Sequence, residues 1–278
     1  MTVLRHSVSV LALRPDRLWR LTTPLLDFVE STRVRGDEIV LDDGRPVPDL
    51  RLVEGRHLRP GARYASVKAD AEDQMTVVVR AWQRRKAIVA EQTVSSDDMT
   101  VRLSIRLDTP DRPRRLDVDG WANGPEGSGP LRRGSGRARL DLTAWWAAAD
   151  LPPGTPPPPR APATVRLKHR LATARLDLRP RYEDGGRWRV DVSAAVRGRW
   201  LLRPVVAVAL MVAGSRVRRG FRTAVEQAAE AWDRSVGELL ALSPDALRAE
   251  LAKQATDPTP AKPTDAARGE TRTGGPAA

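Results

Sequence analysis

The stretch "MTVRLSIRL" alternates without a break. Met99, Val101, Leu103, Ile105 and Leu107 fall on one face, and Thr100, Arg102, Ser104 and Arg106 on the other. A two-residue period is the pattern of a strand with one face buried and one wet. A chain that repeats it many times builds an antiparallel sheet and must cover its apolar side. The pattern returns in "RWRVDVSAAV", with Trp188, Val190, Val192, Ala194 and Val196 inward and Arg187, Arg189 and Asp191 outward. It returns again in "RARLDLTAWW", through Leu140, Leu142, Ala144 and Trp146. In that register Trp145 lies on the opposite strand face from Trp146. There it either packs under the proline-rich segment that follows or stands exposed, able to stack a base or sit at a membrane interface. Segments 3–13, 38–41, 49–54, 62–68, 74–82, 86–94 and 113–119 also read as strands. Segment 164–179 reads as one extended piece. Its apolar parity flips between Leu171 and Ala174, which predicts a bulge near Ala172-Thr173.

Two segments have the helical period instead. "PDRLWRLTTPLLDFV" begins with Pro15, suited to a first helical turn, and presents Leu18, Trp19, Leu21, Leu25 and Leu26. From Pro204 to about Ala241 an apolar stripe runs through Leu210, Gly214, Val217, Phe221, Val225, Ala228, Trp232, Val236 and Leu239, in steps of three or four. A continuous helix there is roughly 57 Å long at 1.5 Å per residue, and a kink is expected at Gly214 or Gly220. The run Val205 to Ala213 at its start is apolar on every side. A membrane-spanning helix needs about 20 such residues, and Arg203 and Arg216 bracket this run closely. It therefore reads as the buried start of a long helix, with insertion into a membrane interface, helped by the arginines just after it, as the alternative. The remainder is loop or tail: a glycine-rich stretch at 120–137, "LPPGTPPPPRAPA" at 151–163, and a Pro/Thr/Ala/Gly-rich end. The expected organisation is one domain over 1–245 and a disordered tail over 246–278.

Composition narrows the chemistry. Cysteine is absent, which removes disulfides, thiolate zinc sites and cysteine nucleophiles. The N-terminus has neither a long apolar stretch nor a small-residue cleavage site, so a cytoplasmic location is expected. The formal net charge is +12, carried mainly by arginine. Either a GC-rich genome or attraction to an anionic surface accounts for it.

Three further stretches resemble the START-like, helix-grip superfamily (SRPBCC), which includes lipid-transfer domains and polyketide cyclase/dehydrase-type proteins. "SVSVLALRPDRLWRLTT" is similar to its opening strand and helix, here Val8, Val10, Leu18 and Trp19. "GGRWRVDVSAAVRGRWLLRPVVAVALMV" is similar to its last strand and the start of its final helix, here Gly198, Arg203 and Pro204. "LRPGARY", from Leu58 to Tyr64, resembles the turn before an early strand. The resemblance implies an α+β fold, a curved antiparallel sheet wrapped around a long C-terminal helix, here with loop insertions around 43–60, 120–137 and 151–163. It also implies a cavity between sheet and helix that takes an apolar guest. Inward parity makes Val77, Val79, Met99, Val101, Leu103, His169, Trp188, Val190 and Val192 candidate ligand-binding residues, with Leu210, Met211, Val217 and Phe221 from the helix.

No catalytic or metal constellation emerges. His6, His57 and His169 are far apart in sequence and lack ligand spacing. Asp42-Asp43 and Asp97-Asp98 sit at expected turns. The glycine-rich segment has no phosphate-loop spacing, and no cofactor is implied. The leading expectation is non-catalytic binding or transport of a hydrophobic or lipid-like small molecule. Two alternatives stand beside it: a cyclase/dehydrase-type enzyme, and a basic adaptor at an anionic membrane or nucleic acid. A peripheral contact with anionic membrane is the second partner expectation. Nucleic acid is not expected, because the basic clusters lack an accompanying set of exposed aromatics.

Overall fold

The computed structural model describes residues 2–66, 74–125, 133–152, 154–198 and 214–257. Thirteen described strands form a single antiparallel sheet. They are β1 (Thr2–Leu11), β2 (Arg33–Arg35), β3 (Glu38–Val40), β4 (Pro46–Glu54), β5 (Arg63–Ser66), β6 (Gln74–Gln83) and β7 (Ala87–Ser95). There follow β8 (Thr100–Asp108), β9 (Arg115–Asn123), β10 (Arg133–Asp141), β11 (Ala163–His169), β12 (Ala172–Glu183) and β13 (Arg187–Gly198). From β3 to β13 each strand pairs with the one before it, while β1 lies outside β13. The fold is α+β, with helix α1 (Pro15–Ser31), α2 (Leu142–Ala149), α3 (Gly214–Ala241) and α4 (Pro244–Thr256).

Local chemistry explains the junctions. Asp184, Gly185 and Gly186 turn β12 into β13, and both glycines have positive φ, 76° and 73°, which costs a residue without Cβ little. The parity flip expected to be a bulge near Ala172 is a hairpin turn at Arg170-Leu171, separating β11 from β12. Trp145 and Trp146 are on helix α2, not a strand. The Asp141 carboxylate accepts the Ala144 amide at 2.8 Å and caps that helix. The segment expected as tail from 246 begins inside α4. Ser243 caps this helix, Pro244 opens it, and Leu247 is buried. Residues 258–278, and the stretch 204–213 expected to begin the long helix, lie outside the described residues. From Gly214 on, α3 is helical through Gly220 without interruption.

Cross-strand register assembles one apolar face. His6, Val192, Leu178, Ala163, Leu140, Leu116, Leu107, Ile88 and Trp82 lie side by side from β1 to β6. Two residues further along each strand a second row follows, from Leu4 and Ala194 through Leu176, Val165, Ala138 and Val118 to Ile105. The opposite face carries charge, much of it paired: Arg139 and Asp117 at 3.1 Å, Arg175 and Asp177 at 2.8 Å, Arg80 and Glu91 at 2.7 Å.

Two clusters anchor this face. One gathers Val10, Ala149, Trp188, Val190 and Val192 beneath α2 and α3. The other gathers Ile39, Ala62, Tyr64 and Val79 toward the β2 side. Helix α1 reaches from the first toward the second. Its C-terminal half is tied to β6 and the turn after it, where Trp82 Nε1 donates to Glu30 at 2.8 Å and Arg84 donates to Asp27 at 2.6 Å.

The sheet has two distinct ends. At one, the base, β1 runs into α1 and β10 into α2, and the β12–β13 turn lies beside them. At the other, the tip, lie the β7–β8 and β11–β12 turns, together with the start of β1 and the end of β13.

Candidate apolar cavity between sheet and helix

A cavity of about 560 Å³ lies where α2 and α3 cross the first apolar rows. Its floor is the sheet: Val8 and Val10 of β1, Leu116 and Val118 of β9, Ala138 and Leu140 of β10, Val165 of β11, Leu176 and Leu178 of β12, and Trp188, Val190 and Val192 of β13. Its roof is the inner stripe of α3, with Phe221, Ala224, Val225, Ala228, Ala229 and Trp232. Trp145 and Trp146 of α2, with Leu13 and Leu18, close the base end. The small residues Ala224, Ala228 and Ala229 account for the hollow, because they leave the roof thin where leucines would fill it.

The aromatic frame is held by polar groups that point away from the cavity. Trp232 donates its indole N–H to the Leu11 carbonyl at 3.0 Å, and Trp146 donates to the Leu13 carbonyl at 3.1 Å. Both rings therefore present hydrocarbon to the interior with their one donor satisfied. Trp145 and Trp188 meet edge to face at 5.8 Å between centroids. Beside Trp232, Asp233 accepts the Leu11 amide at 2.6 Å and pairs with Arg187. Two turns nearer the tip, His6 and Glu226 are 3.1 Å apart. These contacts fix the height of α3 over β1.

Arg139 and Thr164 border the cavity, but sheet parity turns their side chains to the other face, where Arg139 meets Asp117. Among the described residues, no other charged side chain borders it. No set of three or more His, Asp or Glu side chains among the described residues is placed to hold a metal.

The structure places the candidate lining residues in several locations. Trp188, Val190, Val192 and Phe221 line the main cavity. Val101, Leu103 and His169 border a second hollow of about 530 Å³, on the same sheet face but nearer the tip, with Gly120, Gly136, Leu167 and Ala174. His169 Nδ1 accepts the Leu171 amide at 3.3 Å. Val79 is buried in the β2-side cluster and Val77 packs against it. Met99 is outside β8, exposed in the β7–β8 turn. Val217 is half-buried on α3 away from the cavity, and Leu210 and Met211 lie outside the described residues. The floor residues on β9, β10 and β11 were not among the candidates.

A polar network sits apart from the cavity, between the end of α1 and the β4–β5 loop. Leu58 donates its amide to the Tyr64 hydroxyl at 2.8 Å, and Tyr64 Oη is 2.9 Å from His57 Nδ1. His57 Nε2 is 3.0 Å from Thr32 Oγ1, which donates to the Val29 carbonyl at 2.6 Å. Each group is satisfied if Tyr64 donates to Nδ1 and the imidazole is neutral, carrying its proton on Nε2. Burial lowers the His57 pKa and outweighs the raising effect of its hydrogen bond at Thr32. It also pushes the Tyr64 hydroxyl up.

No helix among the described residues is long and apolar enough to cross a membrane. No family model matches the chain, and a search of curated proteins returns no relative.

Proposed function

We propose that the protein binds a hydrophobic or lipid-like small molecule, without transforming it, in the cavity between the sheet and α3. The observation that carries this reading is the cavity itself: about 560 Å³ walled by aliphatic and indole side chains, within the size range of small-molecule sites. General acid-base chemistry needs a titratable group within reach of the substrate, and among the described residues the walls supply none. The strand order, with β1 beside the last strand and α3 lying on β1, is consistent with a helix-grip arrangement.

Native mass spectrometry of the full chain, combined with titration of a fluorescent fatty-acid analogue, tests the reading. The expected result is a co-purified apolar adduct and saturable binding of the analogue. Ala228→Trp, which fills the roof, should weaken that binding at least tenfold while leaving the circular dichroism unchanged. A bare chain mass, with the analogue bound equally by Ala228→Trp and the parent, would end the proposal.

A further inference from the structure

The tip of the sheet differs in surface chemistry from the rest. Five large apolar side chains stand exposed there: Val3 near the start of β1, Met99 in the β7–β8 turn, Trp121 near the end of β9, Leu167 on β11 and Leu171 in the β11–β12 turn. Around them the sheet places Arg102, Arg133, Lys168, Arg170 and Arg197, all exposed. Helix α3 brings more charge to the same end. Glu226 packs at His6 and Asp233 at Leu11, so the helix runs parallel to β1 and its start lies toward Thr2. Arg216, Arg218 and Arg219, exposed on its first turns, therefore project about 10–15 Å beyond the Glu226 contact, toward the tip. Against these eight cations the described turns of the tip carry two carboxylates, Asp97 and Asp98, with Asp119 and Glu91 further in, on the strand row that holds Val3. None of the eight forms a close salt bridge among the described residues, and Arg102 acts at longer range on Glu91. At the base, in contrast, cations mix with Asp16, Asp111, Asp150, Glu183 and Asp184.

We infer that the tip is a docking surface for a bilayer carrying anionic phospholipid. Cations at the headgroup level are attracted to such a surface by about 1 kcal/mol each, and apolar side chains on turns enter the acyl boundary without needing partners. A single-stranded nucleic acid asks for stacking aromatics beside the charge, and four of the five apolar residues here are aliphatic. The second hollow opens on the same sheet face toward this end, so docking would set the apolar track against the membrane. The inference does not depend on what occupies the main cavity.

The test is sedimentation of the full chain with vesicles of phosphatidylcholine alone and of phosphatidylcholine mixed with phosphatidylserine, at low and high salt. Binding is expected only to the mixed vesicles, and weaker in salt. Removing three charges as Arg216→Ser, Arg218→Ser and Arg219→Ser should lower partitioning on the order of 100-fold. Met99→Asp combined with Leu171→Asp should lower it as well, with fatty-acid analogue binding in the cavity unchanged. Four results would each overturn the inference: no binding to mixed vesicles at low salt, equal binding to both vesicle types, undiminished binding of the turn variant, or tighter retention by polyuridylate than by mixed vesicles.

Discussion

The indole of Trp232 and the main-chain carbonyl of Leu11 are joined by a 3.0 Å hydrogen bond, and the next helix residue, Asp233, accepts the amide of the same leucine. Strand β1 is an edge strand. An edge offers unpaired main-chain groups to any other strand. Here one helix satisfies both the donor and the acceptor of Leu11 with adjacent side chains.

Asp233→Ala should therefore cost about 1–3 kcal/mol, since it leaves the Leu11 amide without its acceptor and takes from Arg187 its carboxylate partner, with Ser9 still accepting from the guanidinium. Urea unfolding measures this. Asp233→Asn keeps one acceptor and should recover part of the loss. Equal stability of the alanine variant and the parent would show that α3 is held by its apolar stripe alone.

Trp188 is 6% exposed and packs edge-on against Trp145. Trp188→Ala should destabilise by about 3–5 kcal/mol. The same change enlarges the cavity at its floor. A bulkier fatty-acid analogue should then bind at least as well as a slim one, which a competition titration would detect.

Stability should fall with acidity through His57. Burial lowers its pKa in the fold, so the unfolded chain, near 6.5, takes up a proton first. Between the unfolded value and the lower folded value the unfolded state binds more protons, and folding stability rises with pH. The contribution is complete above about pH 6.5 and shrinks as pH falls below it. A series of melting curves from neutral to mildly acidic pH, compared with those of His57→Gln, isolates this slope. An identical slope in the variant would assign the acid sensitivity to other groups.

Gly120 and Gly136 face each other across β9 and β10. A Cβ built on them would come within 2.9 Å of Leu103 Cδ2 and 3.0 Å of Leu167 Cδ2. Gly120→Ala with Gly136→Ala should push both leucine ends aside and shrink the second hollow. Because those ends are flexible and glycine is a poor strand residue, the change in stability should stay within about 1 kcal/mol. A large loss of stability would mean that the backbone itself approaches closely there.

Much of this architecture is legible in the sequence, for a physical reason. Alternation reports which face of a strand is buried, and the pattern in 101–107 and 188–196 places its apolar residues on the apolar face seen here, while Met99 falls in the turn before β8. Alternation does not report where along the strand a helix crosses. That position depends on register between strands distant in sequence, so Leu116, Val118, Ala138 and Leu140 were missed as cavity floor. Val77 and Val79, on the correct face, serve a different cluster. Helix α2 was concealed because "RARLDLTAWW" continues its alternation by coincidence through Trp146. The cue that identifies it is Asp141, whose carboxylate ends the strand by capping the Ala144 amide. The start of α4 had a similar cue in Ser243 and Pro244. The pairing of β1 with β13 leaves no local trace at all.

That pairing has a consequence for biosynthesis. Among the described residues Thr2–Leu11 pairs with β13 alone, a strand that is made only after β2 to β12. Until then Thr2–Leu11 is an alternating, half-apolar ribbon with neither strand nor helix beside it, and closing so long a loop is slow. The nascent chain is most exposed to wrong pairing in that interval, because β1 and the contacts that α3 makes on it both wait for β13.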